Sequence, residues 1–74
     1  MTMVDFEGRR FEVMRVLDPD VAMVSLDGSV QGCAQILRGA LVANLSADGS
    51  SRVSARTIAE VALRSGYGLG FPIA

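Results

Sequence analysis

The sequence predicts an α+β fold in which a three-stranded antiparallel meander over residues 3–26 is followed by two helices, near 30–45 and 54–65. Two observations lead to this prediction. Residues 3–26 contain β-type segments separated by turn signals, whereas later apolar residues recur at helical spacing. The 74 residues suffice for one small domain, 1–74, which ends in a glycine-rich apolar tail at 66–74.

The first hairpin of the meander has a self-consistent register. Glu7-Gly8 can form a two-residue turn, because glycine tolerates positive φ. Asp5 then lies opposite Arg10, and Val4 lies opposite Phe11. Both are favourable cross-strand pairs, an opposite-charge pair and a β-branched residue against an aromatic ring.

The second turn is predicted at Asp18-Pro19-Asp20, with the chain returning as Val21 to Leu26. Following the pleat through this turn gives two faces. The core face is predicted to carry Val4, Phe6, Phe11, Val13, Leu17, Val21 and Met23, with Arg15 as the exception. The second face is polar toward the first strand and apolar toward the third, where it carries Met14, Val16, Val24 and Leu26. A sheet with one wet face alternates more cleanly, so we expect this second face to be partly covered.

The helix near 30–45 is predicted from apolar residues at spacings of four, three, four and four: Val30, Ala34, Leu37, Leu41 and Leu45. Gly32 and Gly39 count against it, since each costs about 1 kcal/mol inside a helix. In the alternative, Asp27-Gly28 is a hairpin turn and the sheet continues into a small all-β barrel with one helix. The predicted core consists of Phe11, Val13, Leu37, Leu41, Ile58 and Ala62.

The helix near 54–65 has clear end signals. Ser51 or Ser54 can cap its start, and Gly66 suits the position after its end, with Tyr67 folding back on Ala62. The ten residues 58–67, IAEVALRSGY, resemble the first helix and turn of the second helix-turn-helix of AraC-type transcription regulators. That resemblance implies a following recognition helix, but here Gly68, Gly70 and Pro72 follow instead. A capped, alanine-rich amphipathic helix is the alternative interpretation.

Catalytic and ligand-binding signals are scarce. There is no histidine, and Cys33 is the one cysteine, so the common general base and zinc-ligand sets are missing. Asp18 and Asp20 flank a proline and are explained by the turn. We therefore expect no enzymatic activity, cofactor, metal or small-molecule ligand.

The charge and the apolar pattern limit the classes of partner and the cellular location that we expect. A net charge of −1 produces no strong electrostatic field that would attract nucleic acid or an anionic membrane. The longest apolar stretch, Val30 to Leu45, is too short to span a bilayer and contains Arg38. The N-terminus has no signal-peptide pattern. We expect a cytoplasmic or virion protein whose partner is another protein.

Half of the residues are apolar and the mean hydropathy is +0.38, a large apolar content for a short chain. The sequence therefore predicts an assembly module, either a homo-oligomer or a small subunit of a larger particle such as a phage virion. The predicted interface, covered by another chain, consists of Met14, Val16, Val24, Leu26, Tyr67, Leu69, Phe71 and Ile73. Alternatively, the tail folds back on its own sheet.

A second hypothesis for the function is a small regulator that binds DNA or a regulator protein through the 54–65 helix.

Overall fold

Five consecutive antiparallel strands and one helix form the structure, a computed structural model that describes residues 1–74. The elements are β1 Thr2–Phe6, β2 Arg9–Leu17, β3 Asp20–Leu26, β4 Ser29–Leu37, β5 Ala40–Leu45 and α1 Ala55–Arg64. The strands form one sheet in the order β1-β2-β3-β4-β5, so each pairs only with its neighbours along the chain.

Three of the four hairpin turns share one conformation. Glu7-Gly8, Asp27-Gly28 and Arg38-Gly39 each have both residues at positive φ, as a type I′ turn requires. This turn matches the right-handed twist of the flanking strands. The predicted register of the first hairpin is confirmed, with Asp5 opposite Arg10 and Val4 opposite Phe11.

The predicted helix near 30–45 is wrong, and these residues form β4 and β5. The alternative placed a hairpin turn at Asp27-Gly28, and the structure has one there, but β1 does not pair with β5 and the sheet stays open. Gly32, which counted against a helix, has a specific role in β4. A Cβ on Gly32 would clash with the Asn44 carbonyl oxygen and lie 2.6 Å from Cδ1 of Ile58, so only glycine fits between β5 and the helix.

The predicted face of the third strand is also wrong. The second turn contains two residues, Asp18-Pro19, so that Leu17 pairs with Asp20 and Val13 with Val24. A shift of one residue moves every side chain of a strand to the other face. Ala22, Val24 and Leu26 are therefore buried beneath α1, whereas Val21 and Met23 lie on the opposite face.

The helix α1 packs against one face of the sheet and closes the core. Of the predicted core residues, Phe11, Val13, Leu41, Ile58 and Ala62 are buried together. Leu37 is 51% exposed, so its assignment to the core is wrong. Leu37 was predicted in the core because of the helical spacing. In the structure it lies at the end of β4, on the face of the sheet away from α1.

Both ends of α1 are capped as the sequence predicts. Ser54 is the N-cap, and its side chain accepts a hydrogen bond from the Thr57 backbone N–H at 3.1 Å. At the other end the Gly66 N–H donates to Leu63 O and the Tyr67 N–H donates to Ala62 O, which is the Schellman pattern. Residues 67–74 form turns and a short bridge to β5, so no recognition helix follows within them.

Candidate protein-binding surface

The face of the sheet that points away from α1, here called the outer face, is mostly apolar and is not covered by any element of the chain. The strand registers place two cross-strand rows at its centre. One row is Met14, Met23, Cys33 and Asn44, and the other is Val16, Val21, Gln35 and Val42. Met3, Val30, Leu37 and Ala40 extend the apolar area toward its margins.

The side chains of the outer face are exposed to an unusual degree for their type. Met14 is 46% exposed, Met3 50% and Leu37 51%. The central residues Val21 and Met23 are only half-buried by their neighbours in the sheet. Because contiguous exposed apolar surface is a common feature of interaction sites, the outer face is the candidate binding surface of this chain.

The charges of the outer face lie on β1 and β2 only. Arg10 donates two hydrogen bonds to the Asp5 carboxylate, at 2.8 and 3.2 Å. The Arg10 guanidinium holds the pKa of the Asp5 carboxyl below its usual value, chiefly through these bonds. Glu12 is the remaining charged residue on this face. The part formed by β3, β4 and β5 is uncharged.

The structure divides the predicted interface residues among three places. Met14 and Val16 lie on the outer face, as the sequence predicts. Val24, Leu26 and Tyr67 lie in the interior of the chain and are 5% exposed or less. Leu69, Phe71 and Ile73 belong to the tail, so the eight residues do not form a single surface.

Tyr67 anchors the tail within its own chain. Its hydroxyl donates to the Asp20 carbonyl oxygen at 3.0 Å, and the Arg15 guanidinium lies 4.8 Å from its ring centroid. Burial raises the pKa of the Tyr67 phenol, because the phenolate would lose its hydration. Ile73 forms a parallel bridge with Leu41 and packs against the core.

A second exposed apolar area, here called the end patch, lies at the end of the sheet that carries the Asp18-Pro19 and Arg38-Gly39 turns. Leu17 closes β2 at this end on the side of the sheet that faces α1 and belongs to the end patch, whereas Leu37 closes β4 on the outer face. The tail makes a turn here, in which the Phe71 N–H donates to Gly68 O at 3.1 Å. Leu69 at the tip of this turn is 69% exposed and Phe71 is 41% exposed.

Several residues of the outer face were not predicted from the sequence: Val21, Met23, Cys33 and Val42. Val21 and Met23 were assigned to the core face because the length of the second turn was misjudged. Cys33 and Val42 lie in segments interpreted as helix. The signal that identifies Cys33 and Val42 is the glycine at positions 28 and 39, each at the end of a two-residue turn.

The rest of the surface shows no cluster of side chains typical of a metal site. No three or more His, Cys, Asp or Glu residues are grouped where they could hold a metal ion. The helix α1 is too short and too polar to cross a membrane. Its surface carries a network in which Arg56 and Arg64 both bind Glu60, at 3.2 and 2.7 Å, and these bonds lower the Glu60 pKa.

Comparisons with known proteins give no relative: no protein-family model, curated protein or solved structure matches this chain significantly.

Proposed function

We propose that this protein is a non-enzymatic assembly module that associates with a second copy of itself through the outer face. The observation that supports the proposal most directly is the apolar centre of that face, around Met14, Val21 and Met23, which the helix and the tail leave uncovered. Burial of apolar surface is the main favourable contribution to protein association.

The size of the outer face is sufficient for a dimer. Five strands about 4.8 Å apart, with about six residues of about 3.3 Å each, span roughly 24 by 20 Å. Two such faces cover about 1,000 Å² as flat areas, near the lower limit of about 1,000 Å² for a specific interface. Two stacked sheets with apolar inner faces form the same arrangement as a β-sandwich.

The distribution of charge favours one orientation of the two copies. In one orientation the two-fold axis lies between the two stacked sheets, parallel to the strands and level with β3. This axis places β2 of one copy over β4 of the other. Glu12 then faces the uncharged half of its partner's sheet. An axis perpendicular to the strands would stack β2 on β2 and place the charged strands β1 and β2 of both copies in the same half of the interface, where the like charges of the two Glu12 residues are unfavourable.

Assembly beyond a dimer requires a second contact surface, and the end patch supplies one. Leu69 and Phe71 lie at one end of the sheet, away from the centre of the outer face. A chain with two different contact surfaces can build a larger particle, such as a virion component.

The alternative function, regulation through α1, has less support. Arg56 and Arg64 are already paired with Glu60, and no second helix follows.

Sedimentation equilibrium of the purified chain over a range of concentrations tests the proposal. We expect the wild-type chain to dimerise reversibly. The double variant Met14→Lys/Met23→Lys should stay monomeric, because two ammonium groups would be buried in each half of the interface. Leu17→Lys is the matched control, because Leu17 is 78% exposed and belongs to the end patch rather than to the outer face. It should form the dimer like the wild type, even where it weakens assembly beyond the dimer. A wild-type chain that remains monomeric at all concentrations contradicts the proposal.

A further inference from the structure

A cavity of about 280 Å³ lies on the α1 side of the sheet, at the end where the Glu7-Gly8 turn connects β1 to β2. Three parts of the chain meet there: the first hairpin, the loop that precedes α1, and the first turn of α1. The residues that line the cavity are Phe6, Glu7, Arg9, Phe11, Arg52, Val53 and Thr57. The outer face lies on the opposite side of the sheet, so this cavity does not overlap the proposed dimer interface.

The two arginines of the cavity are not hydrogen-bonded to any carboxylate. Arg9 forms no ion pair within the chain. Arg52 donates to the Leu26 carbonyl oxygen at 3.0 Å, and its guanidinium lies 3.7 Å from a carboxylate oxygen of Asp27, beyond hydrogen-bond distance. Four other arginines, in contrast, donate to a carboxylate: Arg10, Arg15, Arg56 and Arg64. Both cavity arginines therefore keep guanidinium N–H groups that are free to bind a ligand.

The charges of the cavity suit a ligand with one negative charge. Arg9 and Arg52 contribute two positive charges and Glu7 one negative charge, and Glu7 forms no ion pair with either arginine. The nearby Asp27 carboxylate partly offsets Arg52. The planar N–H fork of a guanidinium matches the two oxygens of a carboxylate. The Thr57 hydroxyl already accepts a hydrogen bond, at 3.2 Å, so its own hydrogen remains available as a further donor.

The inner wall of the cavity is apolar. Phe11 is buried, and Phe6 and Val53 are half-buried and pack against the core. The Arg64 guanidinium lies over the Phe6 ring, 4.5 Å from its centroid, and holds the ring in place. An apolar group that leaves water for this wall gains free energy. The volume is close to the lower limit of about 300 Å³ for ligand pockets, which favours a small molecule.

We propose that this cavity binds a small monocarboxylate with an apolar body, such as an arylalkanoate. The carboxylate would lie between Arg9 and Arg52, with Thr57 as a further donor, and the apolar body would contact Phe6 and Val53. The sequence indicated no small-molecule ligand, because only the fold brings residues 6–11 and 52–57 together. The proposal is independent of association through the outer face.

The other cavities and arginines lack this combination of features. Each of the other two cavities contains one arginine, Arg15 or Arg56, and that arginine donates to a carboxylate. Arg38 has no carboxylate partner, but it lies in a turn and lines no cavity. Free guanidinium groups and an apolar wall therefore occur together only at the cavity that contains Arg9.

The probe for this site is 3-phenylpropionate, added to the full-length chain in an NMR titration. We expect saturable shifts of the Arg9, Arg52 and Val53 signals, with a dissociation constant on the order of 1 mM for a ligand of this size. The neutral 3-phenylpropanamide has nearly the same shape and tests the need for the charge, whereas acetate tests the need for the apolar body. Each should bind about tenfold more weakly or worse.

Arg9→Gln removes one guanidinium from an exposed position that has no partner in the chain. It should weaken the binding of 3-phenylpropionate roughly tenfold, the effect of one lost charged hydrogen bond. Arg38→Gln is the matched control, because it removes the same charge away from the cavity, and it should bind like the wild type. Thr57→Val keeps the net charge and the shape of the side chain, and it should weaken binding roughly fivefold.

Equal weakening in Arg9→Gln and Arg38→Gln would mean that only the net charge matters, and it overturns the proposal. Acetate that binds as tightly as 3-phenylpropionate, inorganic phosphate that binds more tightly, and shifts confined to residues outside the cavity also overturn it, as does the absence of saturable binding. If Arg9→Gln does not fold, Thr57→Val decides the question, and unchanged binding in that variant overturns the proposal. Dimerisation through the outer face does not depend on any of these outcomes.

Discussion

At the scale of single residues, Gln31 shows how one polar side chain organises the loop after β5. It is the extra residue of a β-bulge, since Val24 pairs with Gly32 and Ser25 with Val30. Its side chain is fully buried. The amide oxygen accepts from the Arg52 backbone N–H at 2.6 Å, and Nε2 donates to Ser29 O at 3.2 Å. The two hydrogen bonds offset the desolvation of the buried amide and fix the loop in place.

Replacing this amide with a carboxyl group should make stability depend on pH. In Gln31→Glu, burial raises the pKa of the new carboxyl in the folded state above its unfolded value. The protonated form keeps both a donor and an acceptor, so at about pH 3 the variant should match the wild type. As the pH rises, the unfolded state loses its proton more readily. The variant should then become less stable than the wild type by about 1–3 kcal/mol or more near neutral pH.

Urea unfolding of both proteins at several pH values measures this difference. At concentrations at which the chain is monomeric, Gln35→Glu is the control, because Gln35 lies half-buried on the outer face and its carboxylate can then remain hydrated. Its stability difference from the wild type should change little with pH. A difference for Gln31→Glu that is the same at both ends of the pH range would contradict the structural role assigned to Gln31.

At the scale of elements, local chemistry determined what could be predicted from the sequence. The Glu7-Gly8 turn and the caps of α1 depend on neighbouring residues, so the first hairpin and the helix were predicted correctly. β4 and β5 were not, because apolar residues on both faces conceal the two-residue period of a strand. The length of the Asp18-Pro19 turn depends on how the whole sheet packs, and an error of one residue there reversed the faces of β3.

The register of β3 predicts opposite effects for two neighbouring residues. Val24 is fully buried beneath α1, so Val24→Lys places an ammonium group in the core and should prevent folding. Met23 lies on the outer face, where a lysine can extend its charge into water. At concentrations at which the chain is monomeric, Met23→Lys should change the free energy of unfolding by less than about 1 kcal/mol. Far-UV circular dichroism and urea unfolding distinguish these results, and similar effects at the two positions would contradict the register.

At the scale of the whole molecule, a chain of 74 residues is too short to cover both faces of a five-stranded sheet with its own helices and loops. The helix covers one face, and its buried residues account for much of the core. The other face is uncharged and mostly apolar over β3, β4 and β5, without an intramolecular cover. The sequence indicated a partly covered second face and identified Met14 and Val16 on it. It did not identify Val21 or Met23, since these depend on the register across the whole sheet.

The proposed two-fold arrangement makes a specific prediction about distances between the copies. Met14 and Cys33 lie in the same cross-strand row, on β2 and β4. An axis along β3 places Met14 of one copy over Cys33 of the other. The two Cys33 residues are then offset from each other by two strand spacings, about 10 Å measured perpendicular to the strands. Met14→Cys should therefore give covalent dimers with a short bis-maleimide reagent, through reciprocal links between positions 14 and 33.

Two controls test the orientation. The wild-type chain, which has Cys33 alone, and the variant Met14→Cys/Cys33→Ser should both cross-link much more slowly. Peptide mapping of the covalent dimer should recover position 14 joined to position 33. An axis perpendicular to the strands and passing through the row of Met14 and Cys33 would instead bring β4 over β4 and join Cys33 to Cys33. Rapid cross-linking of the wild-type chain would therefore exclude the orientation inferred from Glu12, while leaving association through the outer face intact.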